Sequence, residues 1–122
     1  MQAIGIDLVD LDRFAAIASR RGARFLGRIL TPREISYCQG KVNGVESMAA
    51  RFAAKEAMIK CLPVTEHLTF RWHEMEVLND QNGKPQVFLH GQLAQWLSNQ
   101  IVLVSLSHSK LSAVALVMVH DR

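Results

Sequence analysis

Apolar and polar positions alternate loosely over residues 3–9, AIGIDLV, which predicts a strand with Ile4, Ile6 and Leu8 on one face and Gly5, Asp7 and Val9 on the other. Asp10 or Asp12 can cap the helix that follows, where Phe14, Ile17 and Ala18 recur at helical spacing as far as about Gly22. Thr31, Pro32 and Glu34 supply an N-cap, a proline at the first helical position and a capping-box acid, so a second helix starts there. From Val45 to Leu62 the apolar residues Val45, Met48, Ala49, Phe52, Ile59 and Leu62 keep helical spacing, and Pro63 ends this longest predicted helix. Beyond it the pattern turns to strands. Leu68–Trp72, Glu74–Leu78 and Gln86–Leu89 read as strands, the last two joined by a turn at Asn79–Pro85 built on Asn82-Gly83. Gly91–Asn99 reads as a short amphipathic helix. Ile101–Leu106 and Ala113–Val119, rich in Val and Leu, form a hairpin across Ser107–Ser112 at the buried centre of the sheet. No repeat, linker or low-complexity segment interrupts this order, so the chain reads as one α+β domain over residues 1–122.

Composition changes this picture little. A chain of 122 residues with 49% hydrophobic and 20% charged side chains can bury one core and is not disordered or fibrous. Charge changes it more. The net charge is only +3, but Arg13 to Lys60 holds ten basic residues against three acids, so this stretch is +7 and the remainder −4. Such a segment suits an acidic partner. Cys38 and Cys61 lack metal-ligand spacing and are expected to be reduced thiols. Asp7 falls before any signal-peptide apolar region is completed, and the one membrane-like stretch, Ile101–Val119, carries His108 and Lys110 at its middle. A cytoplasmic protein without a membrane span is the expectation.

Several residues could carry chemistry. Asp7 is a carboxylate among apolar neighbours in a strand; it either ends the strand as a cap or must be solvated, paired or bound to a metal. On the long helix Glu56 borders the apolar stripe, between Lys55 and Lys60. The plain reading is a surface i,i+4 ion pair. The functional one is a carboxylate on a divalent cation with lysines on phosphate oxygens; two carboxylates suit magnesium, which completes its shell with water and substrate phosphates, better than calcium. Ser105-Leu106-Ser107-His108-Ser109 closes a hairpin or binds an anion through His108, and a serine nucleophile is disfavoured because Ser107 and His108 point to opposite faces. Asn82-Gly83-Lys84-Pro85 is first of all a turn. Arg13, Arg20 and Arg24 share one side of the first helix, a solvated face or a guanidinium ladder for an acidic protein helix.

In order along the chain, Gly5-Ile6-Asp7, Leu30-Thr31 with Glu34, Arg51-Phe52-Ala53-Ala54-Lys55-Glu56-Ala57 with Lys60, Asn82-Gly83-Lys84-Pro85 and Val104-Ser105-Leu106-Ser107-His108-Ser109 resemble the holo-acyl-carrier-protein synthases. These are the short class of 4′-phosphopantetheinyl transferases, and the resemblance runs from Ile4 to about Val119. It implies a small, mostly antiparallel sheet wrapped by helices, and transfer of the 4′-phosphopantetheine arm of coenzyme A to a serine of an apo-acyl carrier protein, in support of fatty acid biosynthesis. Asp7 and Glu56 would then hold Mg2+, with Mn2+ possible in its place. Glu56, directly or through a metal-bound water, would take the serine proton, and Lys60 would neutralise the departing phosphate. Lys55, Lys60, His108 and the Asn82, Gly83, Lys84, Pro85 turn would contact coenzyme A, with Ser107 a lesser candidate. Arg13, Arg20 and Arg24 would dock the carrier protein. A homotrimer with sites at subunit interfaces is also implied. Two other classes compete: a basic nucleic-acid-binding module, which leaves Asp7 and Glu56 unexplained, and a small magnesium-dependent phosphohydrolase, which leaves the arginines unexplained.

Overall fold

The computed structural model describes residues 1–65 and 67–122. Its elements run β1 (Ala3–Asp10), α1 (Leu11–Ile29), α2 (Pro32–Gln39), α3 (Gly44–Cys61), a 3-10 turn (Trp72–Glu74), β2 (Met75–Asn79), β3 (Pro85–Leu89), α4 (Gly91–Trp96), β4 (Gln100–His108) and β5 (Ser112–Asp121). The architecture is α+β. β5 is central in an antiparallel sheet of order β1-β5-β4, and β2 and β3 form a separate antiparallel hairpin. The predicted β4–β5 hairpin is present, although β4 lies at the sheet's edge rather than its centre.

Local chemistry explains the helix boundaries. Asp10 caps α1, its Oδ1 accepting from the Arg13 amide at 2.8 Å. The expected end at Gly22 is a kink: its φ of 69° breaks the helical run, which resumes and continues to Ile29. The Thr31 capping box is formed from both sides, with Glu34 N donating to Thr31 Oγ1 at 3.2 Å and Thr31 N to Glu34 Oε1 at 2.9 Å. Leu68–Trp72 is not a strand. Among the described residues of this stretch, Leu68 makes only an isolated bridge to Thr65, and the Trp72 carbonyl accepts from the Lys55 side chain instead of a neighbouring strand.

Helix α3 packs on the inner face of the sheet, and alanines make the contact. Ala53, Ala54, Ala57, Met58 and Cys61 are buried against Ala115, Val117 and Val119 of β5 and Met75 and Val77 of β2. The larger residues expected on that stripe, Val45 and Ile59, lie exposed. Small side chains let the helix axis approach the sheet closely, and Gly5 marks the closest point: a Cβ there would stand 2.1 Å from the Ala57 carbonyl oxygen. The register sorts the sheet's two faces. Ile4, Met118 and Leu103 face each other across the strands, as do Ile6, Leu116 and Ser105, and Leu8, Val114 and Ser107. Among the described residues no helix covers this apolar outer face; Ile4, Ile6 and Leu8 are 62%, 58% and 67% exposed. Gly5, Asp7 and Val9 face the other way, toward α3.

Candidate active site

The Gly5–Ala57 approach sets the geometry that follows. It brings Asp7, two residues along β1, beside the last turns of α3. Lys60 Nζ lies 3.1 Å from Asp7 Oδ1 and donates to the Ile6 carbonyl at 2.7 Å. One turn earlier, Glu56 is close enough for its carboxyl to be pushed above the usual carboxylate range, first by burial and then by the negative charge of Asp7, with Lys60 opposing. Two carboxylates thus share one ammonium, an under-neutralised cluster that favours either a retained proton or a further cation.

Asp7 and Glu56 open into a cleft of about 470 Å³ whose rim includes Arg13 and Arg21 and whose apolar wall includes Phe14, Phe25 and Phe52. Sequence spacing put Arg13 on a docking face of α1, and the structure places it in the same cleft as the carboxylates. The spacing grouped Arg20 and Arg24 with Arg13, whereas Arg21 shares the cleft, and Arg24 lines an adjoining basic hollow with Arg21, Phe25 and Arg28. Arg13, Ile17 and Arg21 follow one i,i+4 row into the cleft, and the Gly22 kink takes Arg24 off the helical period on which the ladder was counted. The aromatic wall went unread in the sequence. Phe14 stands 5.7 Å from Phe52, and Phe52 stacks on Trp72 at 5.6 Å.

Lys55 does not reach this cleft. Its side chain is fully buried, and Nζ donates to Ile29 O at 2.7 Å, Glu34 Oε1 at 2.6 Å and Trp72 O at 2.9 Å. All three ammonium hydrogens are committed. The expectation of a phosphate contact from Lys55 is therefore corrected: adjacent residues on a helix point about 100° apart, so Glu56 faces the cleft while Lys55 faces the interior.

A second cavity, of about 440 Å³, lies at the other end of α3. Gly83, Lys84 and Pro85 of the predicted turn line it together with His108. Asn82 and Ser107 do not; Ser107 belongs to the outer face of the sheet, opposite Val114. Tyr37, Lys41, Arg51 and Asn79 also line it and were missed. Arg51 is held rigidly, its Nε donating to Val77 O at 2.9 Å, Nη1 to Ser47 Oγ at 2.8 Å and Nη2 to Asn79 Oδ1 at 2.5 Å. Its guanidinium lies 4.6 Å from the centre of the Tyr37 ring, and the Lys41 ammonium 4.8 Å. The i,i+4 spacing of Tyr37 to Lys41 was the available clue. A cavity presenting lysine, arginine and histidine donors at a turn suits an anion.

The family model described as the 4′-phosphopantetheinyl transferase superfamily matches residues 3–114. The chain belongs to this superfamily. A holo-(acyl-carrier-protein) synthase of Koribacter versatilis is 46% identical over 120 residues, with 96% of each chain covered. Among solved structures, the holo-(acyl-carrier-protein) synthase of Neisseria meningitidis superposes with a TM-score of 0.87 at 31% identity, covering 98% of each chain. The Chronobacterium ammoniagenes enzyme in complex with CoA superposes with a TM-score of 0.84 at 30% identity, covering 100% of this chain and 98% of that one. The α+β arrangement of antiparallel strands and helices is the one these relatives share.

Proposed function

We propose that this chain is a holo-acyl-carrier-protein synthase, moving the 4′-phosphopantetheine arm of coenzyme A to a serine hydroxyl of an apo-acyl carrier protein. The observation that carries the assignment is that Asp7 and Glu56 share one cleft with Arg13 and Arg21, with the Lys60 ammonium 3.1 Å from Asp7. In the reaction the serine oxygen forms a bond to the transferred phosphorus, the pyrophosphate P–O bond breaks, and adenosine 3′,5′-bisphosphate leaves. Glu56 accepts the serine proton, for which a carboxyl pushed above its usual range is better matched than an ordinary one. Lys60 stands ready to neutralise the leaving phosphate. The donor set fits a small hard cation: Asp7 and Glu56 would hold magnesium, or manganese, leaving most of the shell to water and pyrophosphate oxygens. Such an ion supplies positive charge where the reaction develops negative charge. The cavity around Arg51, Tyr37, Lys41, Lys84 and His108 takes the nucleotide end of coenzyme A. Arg13 and Arg21 receive the acidic helix of the carrier protein, with Arg24 extending the face.

Two features support a homotrimer with shared sites. The outer sheet face is apolar and bare, and the carboxylate cleft and the basic cavity are separate within one chain. Association through that face lets the carboxylates of one subunit work on coenzyme A held by the next. The chain acts as one transferase domain over residues 1–122, in the cytoplasm, serving fatty acid biosynthesis; no helix among the described residues is long and apolar enough to cross a membrane. Neither competing class finds support in the relatives. The deciding experiment is incubation with coenzyme A, magnesium and an apo-acyl carrier protein, read by mass spectrometry. Gain of the phosphopantetheine mass on the carrier is expected, and no gain with several carriers overturns the assignment.

A further inference from the structure

Outside the cleft, one pair of charges is wholly withdrawn from solvent: Glu34 of α2 and Lys55 of α3, both 0% exposed, with Nζ 2.6 Å from Oε1. Five pieces of the fold meet on it. Lys55 also holds the Ile29 carbonyl at the end of α1 and the Trp72 carbonyl in the 3-10 turn. Glu34 accepts from the Thr31 amide at the start of α2, and through Oε2 from the Val77 amide of β2 at 2.8 Å. A buried ion pair is in itself a poor stabiliser, since apolar residues of similar volume often pack as well. Its placement is more informative than its existence.

Both carbonyl partners of Lys55, and its neighbour in sequence, lead to the cleft. The next residue is Glu56, so the lysine fixes the rotation of α3 that aims Glu56 outward. Ile29 ends the part of α1 beyond the Gly22 kink, whose Phe25 lines the cleft and packs at 6.1 Å on Phe14 of the part that carries Arg13 and Arg21. Trp72 stacks on Phe52, which forms the cleft wall. By contrast, Arg51, one turn earlier on α3, shares only Val77 with the pair and is held independently by Ser47 and Asn79.

We infer that the Glu34–Lys55 pair is a positioning device that holds the arginine-bearing helix α1 in register with Glu56, so that a docked carrier protein delivers its serine to the carboxylate. This rests on the transferase reading above. The predicted signature is asymmetric between substrates, because the pair joins the docking helix to the Glu56 segment directly, whereas Ser47 and Asn79 hold Arg51 in the nucleotide cavity without it.

The test is the double variant Lys55→Met/Glu34→Gln, which removes both buried charges together and keeps a side-chain oxygen for the Thr31 or Val77 amide. It is expected to fold, with the KM for coenzyme A within about twofold of wild type. The KM for carrier protein should rise and kcat fall, each on the order of tenfold or more, since a displacement near 1 Å can cost about a hundredfold. Equal effects on both substrates, or wild-type constants throughout, overturn the proposal. Should the double variant not fold, Glu34→Gln alone must give the same split. If wild-type protein transfers nothing in the same assay, the transferase reading fails, and hydrogen exchange then decides the pairing. Faster exchange over Phe25–Ile29 in the variant, with α3 still protected, supports it; unchanged exchange there refutes it.

Discussion

Lys60 bridges strand and helix, its ammonium 3.1 Å from the Asp7 carboxylate while also holding the Ile6 carbonyl. On the proposed reading Asp7 would be shared between the Lys60 ammonium and a cation that comes with the substrate. Lys60→Met is expected to lower kcat by about 100- to 1,000-fold, the range for losing one preorganised charge-stabilising donor. Asp7→Ala and Glu56→Ala should each abolish metal-dependent turnover with the fold intact by circular dichroism. Full activity in either alanine variant removes that residue from the proposed metal site.

The raised affinity of Glu56 for its proton gives a pH signature. Burial and Asp7 both favour the neutral form, so the carboxyl deprotonates at a higher pH than an ordinary glutamate. A group needed as a base then loses its function early as pH falls, and the acid limb of kcat/KM should lie above the usual glutamate range, about 4.3. Bound magnesium works in the opposite direction by favouring the charged form. NMR titration of Glu56 should show its midpoint moving down when magnesium is added. A midpoint indifferent to magnesium shows that Glu56 is not a ligand.

What the sequence disclosed follows the range of the interactions. The Thr31 capping box, the Asp10 cap and the turn at Gly83 are closed by neighbours within a few residues, and each formed as read. Asp7 and Glu56 were legible as anomalies because each puts a carboxylate where local pattern calls for an apolar group. Lys55 misled for the opposite reason. Its partner Glu34 lies 21 residues away, and only the packing of α2 on α3 shows that its ammonium is consumed internally. The β1 pattern was ambiguous, since apolar residues occur on both faces. Alternation found the strand, but the Ala57 carbonyl against Gly5 decided which face meets the helix. Likewise the basic cavity joins Tyr37 to Asn79 and His108, a grouping with no spacing to betray it.

Arg13 offers a clean separation of the two substrates. It lines the cleft with Asp7 and Glu56 but is absent from the lining of the basic cavity. Arg13→Glu replaces attraction for an acidic helix by repulsion at the site where the serine must arrive. The KM for carrier protein should rise strongly, by about tenfold or more, while that for coenzyme A stays nearly unchanged. Steady-state kinetics with each substrate varied in turn would show this, and equal changes in both constants would refute the docking role.

The outer sheet face makes the assembly testable apart from catalysis. Ile6 is 58% exposed at the middle of β1, opposite Leu116, with Ile4 and Leu8 flanking it. Ile6→Lys places a charge in the centre of an apolar patch without touching the inner core. Light scattering on the wild-type protein should give a trimer mass, and the variant should dissociate. A monomeric wild type would refute assembly through this face.

Glu76 gives the last prediction, one of stability. It is nearly buried and receives Thr31 Oγ1 at 2.5 Å, Arg33 Nη2 at 2.7 Å and a contact from His90 Nε2 at 2.7 Å. The Arg33 hydrogen bond leads in drawing its pKa down from 4.5 to about 2, with Thr31 and His90 assisting against the effect of burial. A carboxyl depressed in the folded state stabilises the fold above its unfolded pKa, and this contribution is lost as pH falls through the folded value. The contribution is thus complete above about 4.5 and declines toward pH 2. Arg33 is largely exposed, so solvent and salt weaken its share. Urea midpoints measured from pH 6 to about pH 2 should fall along that window in the wild type. Glu76→Gln should be less stable at pH 6, having lost a charged acceptor, and its midpoint should fall less steeply below about 4.5. Parallel curves for the two proteins would show that Glu76 is not the group responsible.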